Sequence, residues 1–404
     1  MSRVKSPAPA FSRRNFLIGT TALVASAATA PAYAASVSAF VDQTWRQAAA
    51  RGVSRGIFDA AMGGFSPLQS VIKLTGKQPE FVSTTADYVN KRVNAARTSE
   101  GRGMRGEWAQ TLAAVESRYG VQPEILLAIW GIETNFGGYM GGTNTVHALA
   151  TLTHAGYRSS FFGKELLNAL DILQAGHVRP SNMVGSWAGA MGHPQFMPSS
   201  FLRYAVDFRG DGHKDIWGSV PDALASAANY LEGHGWRAGE TWGYEVKLPS
   251  GFNYQNVWAE KTATLADWSS IGVRRANGRA FPRPGDNARL YMPMGGHGPV
   301  FALLKNFDVI KRYNNSNSYA LAVGHLADRV LGSGGFVADW PNDTALGRAD
   351  RKRVQALLNQ RGYDTGGVDG IIGSRTRAAV MQFQSRAGLL PDGHVSGRLL
   401  NALG

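Results

Sequence analysis

Pro123-Glu-Ile-Leu-Leu-Ala-Ile-Trp-Gly-Ile-Glu133-Thr-Asn-Phe-Gly-Gly138 reads as a buried helix that ends on one acid. Pro123 suits a first helical turn, where its missing N–H has no partner to lose. The apolar run Ile125–Ile132 then leads to Glu133, and Gly137-Gly138 break the helix so that another part of the chain can approach. A carboxyl carried out of an apolar core is poorly hydrated, which disfavours its charged form. The expectation is a group that holds a proton near neutral pH, as a general acid must.

Working outward, the glycine-rich turn Gly137–Asn144 follows no strand and fits no phosphate loop, so it reads as the backbone wall of a cleft. His147–Leu152 and Phe161–Leu173 read as core helices, joined by a polar link that carries Arg158. The densest motif is Gly185-Ser-Trp-Ala-Gly-Ala-Met-Gly-His-Pro-Gln195-Phe-Met-Pro-Ser-Ser200. Its Gly and Ala permit close backbone packing, while Ser186 and Gln195 supply neutral hydrogen-bonding groups. Such groups beside a lone acid suit sugar hydroxyls and N-acetyl amides. Pro198 should start a helix over Phe201–Asp207.

Three motifs taken together are specific. Trp130-Gly-Ile-Glu133-Thr-Asn-Phe-Gly, Gly189-Ala-Met-Gly-His-Pro-Gln195-Phe-Met-Pro-Ser-Ser and Asp207-Phe-Arg-Gly-Asp-Gly-His resemble the B-type lytic murein transglycosylases, soluble and membrane-bound, over roughly residues 36–332. The resemblance implies a mainly α fold: a lysozyme-like α+β catalytic domain with a small inserted β-sheet. It implies cleavage of peptidoglycan between N-acetylmuramic acid and N-acetylglucosamine, with Glu133 catalytic and a 1,6-anhydromuramoyl product. Ser186, Gln195, Tyr230, Tyr313 and Arg158 become the substrate-binding candidates. No cofactor is required, and glycan strands are the partner, with wall synthesis or turnover complexes as candidate recruiters.

An ordinary glycosidase needs two carboxylates about 5–9 Å apart. The motifs around Glu133 offer no second acid. The alternatives are a muramidase using water, which needs that second carboxylate, and a non-catalytic wall-binding scaffold.

The resembled family has an ion-binding loop at Asp207–Gly218, closing with a later acid. The candidate ligands for a structural Ca²⁺ or Na⁺ are Asp207, Asp211, His213 and Asp222. Arg209 departs from the pattern, because it stands where an oxygen ligand belongs. Its guanidinium would repel a cation and can replace it by pairing with Asp207 or Asp211.

The rest of the chain sets the context. Ser12-Arg13-Arg14-Asn15-Phe16-Leu17-Ile18, a mildly apolar stretch and Ala32-Tyr33-Ala34 resemble a twin-arginine export signal over residues 1–34, which places the mature protein in the periplasm as a soluble protein. The catalytic domain is expected over 35–332, with the β insertion at about 242–304. A linker at 333–345 leads to a three-helix module at 346–404, which resembles the peptidoglycan-binding module of wall enzymes. Asp350, Ser374 and Ser396 are its expected helix caps.

With no cysteine among 404 residues, disulfides, thiolate metal sites and a lipid-modified cysteine anchor are excluded. No segment of the mature chain is apolar enough for a transmembrane anchor. The net charge of +13 favours anionic partners. Export and the lack of any matching motif argue against nucleic acid. Gln69–Gly76 is expected to be extended, and Phe81–Arg97 helical.

Overall fold

A computed structural model describes residues 30–75 and 83–404, with side chains from residue 36 onward. Most of the proposed export signal, residues 1–29, lies outside the described residues, as do residues 76–82. The chain forms two compact units, one of residues 30–75 and 96–238, the other of 83–95 and 239–404.

The first unit is helical. The helix Pro123–Thr134 buries every residue from Glu124 to Gly131, as a helix that is apolar all round must. It packs on the helices Ala109–Tyr119 and Val220–Gly233. The helices Thr145–His154 and Ser159–Gln174 pack on each other, and Leu149, Leu152, Leu166 and Leu170 fill the space with 1% or less of their surface exposed. Pro198 opens the helix Pro198–Tyr204, which stops three residues short of Asp207.

Two segments early in the chain depart from the sequence expectation. Gln69–Thr75 is a helix, not an extended segment. Leu68 is held by its N–H on Thr151 Oγ1 (3.0 Å), and its carbonyl accepts the N–H groups of Val71 and Ile72. That anchor comes from a residue 83 positions away, and it overrides weak local propensity. Residues 81 and 82 of the helix expected over Phe81–Arg97 lie outside the described residues; the described part forms two helices, Thr85–Arg92 and Ala95–Glu107. Thr84 and Asp87 form a reciprocal capping box that starts the first of them.

The second unit holds a five-stranded antiparallel sheet. Its strands are β3 (Gly243–Lys247), β4 (Thr262–Thr264), β5 (Arg274–Arg275), β6 (Asn287–Tyr291) and β7 (Val300–Leu303), in the order β4-β6-β7-β3-β5. The first unit supplies β1 (Thr143–Asn144) and β2 (Val184–Gly185). One face of the larger sheet buries Val246, Leu290, Val300 and Ala302 with Trp268, whose indole N–H donates to Ala288 O at 2.9 Å.

The C-terminal helices Arg348–Gln360, Ser374–Arg386 and Gly397–Leu403 enclose Val354, Leu358, Val380, Phe383 and Leu399. Leu357 packs at the edge of this core. Ser396 caps the third helix as expected, accepting from Leu399 N. The other two caps are Gly347 and Gly373 instead. Asp350 lies within the first turn, where its charge complements the helix dipole, and Ser374 is the first helical residue.

Residues 333–345 form no helix or strand but are held down. Glu245 accepts from the N–H groups of Val337 and Ala338 at 2.7 and 2.8 Å. Phe336 stacks on His325. The module is also fastened to the sheet region: Trp258 Nε1 donates to Asp392 O at 2.6 Å, and Asp392 Oδ2 accepts from Gly296 N at 2.8 Å.

Candidate active site

Glu133 occupies the last turn of the helix Pro123–Thr134 and is half-buried. The helix stops because Asn135, Phe136 and Gly137 turn left-handed in succession (φ 51°, 54° and 86°). The turn folds Phe136 back over Gly131, where a Cβ would stand 2.6 Å from the ring. Phe136 meets Trp130 edge-on, with ring centres 5.6 Å apart. The acid is therefore carried by a closed, packed helix end.

That end is stitched to the second motif through His193. Trp130 Nε1 donates to His193 Nδ1 at 2.9 Å. Thr134 Oγ1 lies 3.2 Å from the carbonyl oxygens of both Trp130 and His193, and accepts from Gly137 N. Because an indole N–H can only donate, Nδ1 must be unprotonated. Burial pushes the His193 pKa down, in the same direction. A Cβ on Gly137 would stand 2.3 Å from the imidazole, so glycine is needed there. The roles of Trp130, Thr134 and His193 emerge only in the fold. The available signal was the i, i+4 spacing of Trp130 and Thr134, which puts both on one helix face.

Two further stitches join the same segments. Thr143 and Asn144 in β1 pair with Gly185 and Val184 in β2. Gln195, itself left-handed at φ 51°, donates from Nε2 to Met140 O (3.0 Å) and Gly192 O (2.9 Å). Ser186 Oγ accepts from Ala190 N at 3.1 Å, while Ser186 N donates to Ala190 O. Ser186 and Gln195 thus sit on one tight loop beside the chain that leaves Glu133. Gly192 explains part of the loop's composition: at φ 65° a Cβ there would meet Ile216 O at 2.5 Å.

The other candidates are carried by other elements. Tyr230 is 8% exposed, packed among Phe196, Tyr204 and His234. Arg158 precedes the helix Ser159–Gln174, with its guanidinium over Phe161. Tyr313 ends the helix Lys305–Tyr313 and belongs to the other unit, where it is half-buried. Glu165 was not singled out in the sequence. It is buried, burial raises its pKa, and it accepts from Ser199 N and Oγ at 2.8 and 2.7 Å.

The loop after Asp207 does not gather a metal site. Among the described residues no group of three or more His, Cys, Asp or Glu could hold an ion. Asp207 accepts from Gly210, Asp211 and Gly212 N–H groups, and Asp222 from those of Phe208, Arg209 and Asp215. Arg209 pairs with Asp211 at 2.8 Å. His213 enters this network through its backbone N–H, which donates to Asp211 Oδ1. The donors that hold these carboxylates are the loop's own.

Residues 36–328 match the transglycosylase SLT domain family, and residues 347–403 a peptidoglycan-binding domain family. The chain belongs to the transglycosylase SLT domain family. It is a lytic transglycosylase of the SltB type, mostly helical with a small sheet and lysozyme-like in its catalytic part. It is similar to the crystal structure of SltB3 from Pseudomonas aeruginosa in complex with NAG-anhNAM-pentapeptide, at 44% identity and TM-score 0.83, over 91% of this chain and 99% of that one. It is 36% identical to the membrane-bound lytic murein transglycosylase B of Escherichia coli K12, across 60% of this chain and 66% of that relative's length. The Escherichia coli lytic transglycosylase Slt35 in complex with calcium is 31% identical at TM-score 0.61, over 73% of this chain and 92% of that one. Calcium binding is that protein's property; the Asp207–Gly218 loop described here shows no such site among its described residues.

Proposed function

We propose that this lytic transglycosylase cuts the β-1,4 bond between N-acetylmuramic acid and N-acetylglucosamine, using Glu133 twice in each turnover. The Glu133 carboxyl gives its proton to the glycosidic oxygen as the C1–O bond breaks. The muramoyl N-acetyl oxygen stabilises the cationic C1. The C6 hydroxyl then attacks C1 and returns its proton to the Glu133 carboxylate, closing the 1,6-anhydro ring without water. The observation that supports this is the single acid on a helix end tied, through Trp130 and Thr134, to the loop that bears Ser186 and Gln195. Positioning of this kind is what converts a weak acid into an efficient catalyst.

Ser186 is assigned the N-acetyl group, and Gln195 the polar geometry of the cleft, with its amide already aimed by Met140 and Gly192. Tyr313 is assigned, with Gln195, the polar geometry of the site. Arg158 and Tyr230 are assigned contacts with peptide or sugar, Tyr230 from its place against Phe196. We place the enzyme in the periplasm, exported by the twin-arginine-type signal. Among the described residues no helix is long and apolar enough to cross a membrane. The Asp207–Gly218 loop is assigned a brace in which Arg209 stands in for a cation.

The test is mass spectrometry of muropeptides released from purified wall. Wild type should release anhydromuramoyl ends. Glu133→Gln should lower their rate of release about 10²–10⁴-fold, the usual contribution of a general acid, with unchanged thermal unfolding. Hydrated reducing ends would mean water is the nucleophile. Undiminished release by Glu133→Gln would mean the acid has no catalytic part.

A further inference from the structure

Where the C-terminal module meets the sheet region there is a cavity of about 300 Å³. Its wall draws on Thr84, Met294 and Asp343 together with Arg351, Arg377 and His394 of the module. All lie in the unit that does not contain Glu133.

Two guanidinium groups of this wall are held in place. Arg377 lies on Trp258, with Cζ 3.6 Å from the ring centre, and donates to Gly393 O at 3.2 Å. Arg351 donates from Nε to Gly370 O at 2.9 Å. Among the described residues neither is paired with a carboxylate. Burial pushes the Arg377 pKa down to about 10, against the opposing charge of Asp392. Taking a guanidinium out of water is unfavourable; Trp258, Gly393 O and Asp392 offset part of that cost, and an anion delivered to the group offsets more.

Among the residues of the wall itself the two arginines outnumber the acids, while Asp392, outside the wall, also acts on Arg377 and His394. Burial lowers the His394 pKa, which favours its neutral form. Asp343 is the one acid in the wall, and its Oδ1 already accepts from Thr344 N and Arg398 N. Leu346, Ile372 and Val395 add apolar surface. The volume is at the low end for small-molecule sites, which suits a peptide end of two small residues more than a disaccharide. We infer that this cavity binds a short peptide through its free C-terminal carboxylate, with Arg351 and Arg377 as a pre-positioned clamp. The inference rests on the wall-substrate reading, since wall stem peptides supply such ends.

Calorimetry on the full mature chain tests it, with N-acetyl-D-alanyl-D-alanine as probe, its C-terminal amide as control, and N-acetylmuramic acid as the sugar source of a carboxylate. The acid should bind at least about 10-fold more tightly than the amide, as loss of one charge-assisted bond predicts. Arg351→Gln, at a half-buried position, should weaken the acid by a similar factor. Arg377→Lys should weaken it too, because an ammonium lacks the planar fork. Acid and amide binding alike, no binding of the acid at millimolar concentration, an unaffected Arg351→Gln, or tighter binding of N-acetylmuramic acid would each overturn the inference. Anhydromuramoyl release is measured on the same preparations. Release without peptide binding removes the cavity proposal alone; peptide binding without release removes the catalytic reading alone.

Discussion

Trp130 donates its indole N–H to His193 Nδ1 across 63 positions of sequence, and this bond ties the helix that carries Glu133 to the loop that carries Gln195. Trp130→Phe keeps the ring but leaves Nδ1 buried and unsatisfied. It should cost about 1–3 kcal/mol of stability and lower kcat more than it raises KM. Urea unfolding of Trp130→Phe, His193→Phe and the double variant measures the bond directly. A coupling of about 0.5–3 kcal/mol is expected; strictly additive losses would show that the bond does not hold the two segments together.

Two left-handed glycines should respond differently to the same substitution. Gly192→Ala places a Cβ against the Ile216 backbone, which cannot step aside. Gly210→Ala meets nothing within 4 Å at φ 76°. The second pays only for the left-handed conformation, about 1–2 kcal/mol. The first adds an overpacking cost of about 1–3 kcal/mol. Thermal melts of the pair should rank Gly192→Ala lower.

His325 makes stability depend on pH. It is 7% exposed, stacked on Phe336, and burial with the nearby Arg329 charge lowers its pKa from 6.5 to about 4. Between these values the unfolded chain binds the proton and the folded chain does not, so stability falls as pH drops from 6.5 towards 4. The full effect is about 3 kcal/mol. His325→Phe keeps a stacking ring without a titrating group. Comparing its urea midpoint with wild type at pH 7 and pH 4.5 should show a shallower loss in the variant.

Arg209 should make the Asp207–Gly218 loop indifferent to calcium. Neither calcium nor a chelator should move the Tm of the wild-type chain. Arg209→Asn removes the guanidinium from Asp211 and adds an oxygen ligand at the third loop position. That variant should gain a calcium-dependent rise in Tm, as a ligand bound only to the folded state requires. A calcium-dependent rise in wild type would show that the loop takes the ion despite Arg209.

The site and the fold were legible to different depths. Glu133, the glycine-rich loop and most helices are written locally, in apolar runs and helix breakers. The helix start at Ser396 was readable for the same reason, since a cap acts within one turn. The starts at Gly347 and Gly373 were not, because a glycine cap leaves no side-chain signature to oppose the nearby Asp350 and Ser374. The helix Gln69–Thr75 was hidden by its dependence on Thr151.

Sequence alone singled out Glu133 as the candidate acid, found no second carboxylate in its flanking motifs, and placed a helical module after the catalytic part. These follow from residue type and spacing within a turn or two, where backbone geometry leaves few choices. Tertiary structure alone decided that His193 serves the acid-bearing helix, that Arg209 turns to Asp211, and that Trp258 receives Arg377 from a module residue more than a hundred positions away. Each of those depends on which faces meet, and packing selects a face only once the whole core has closed.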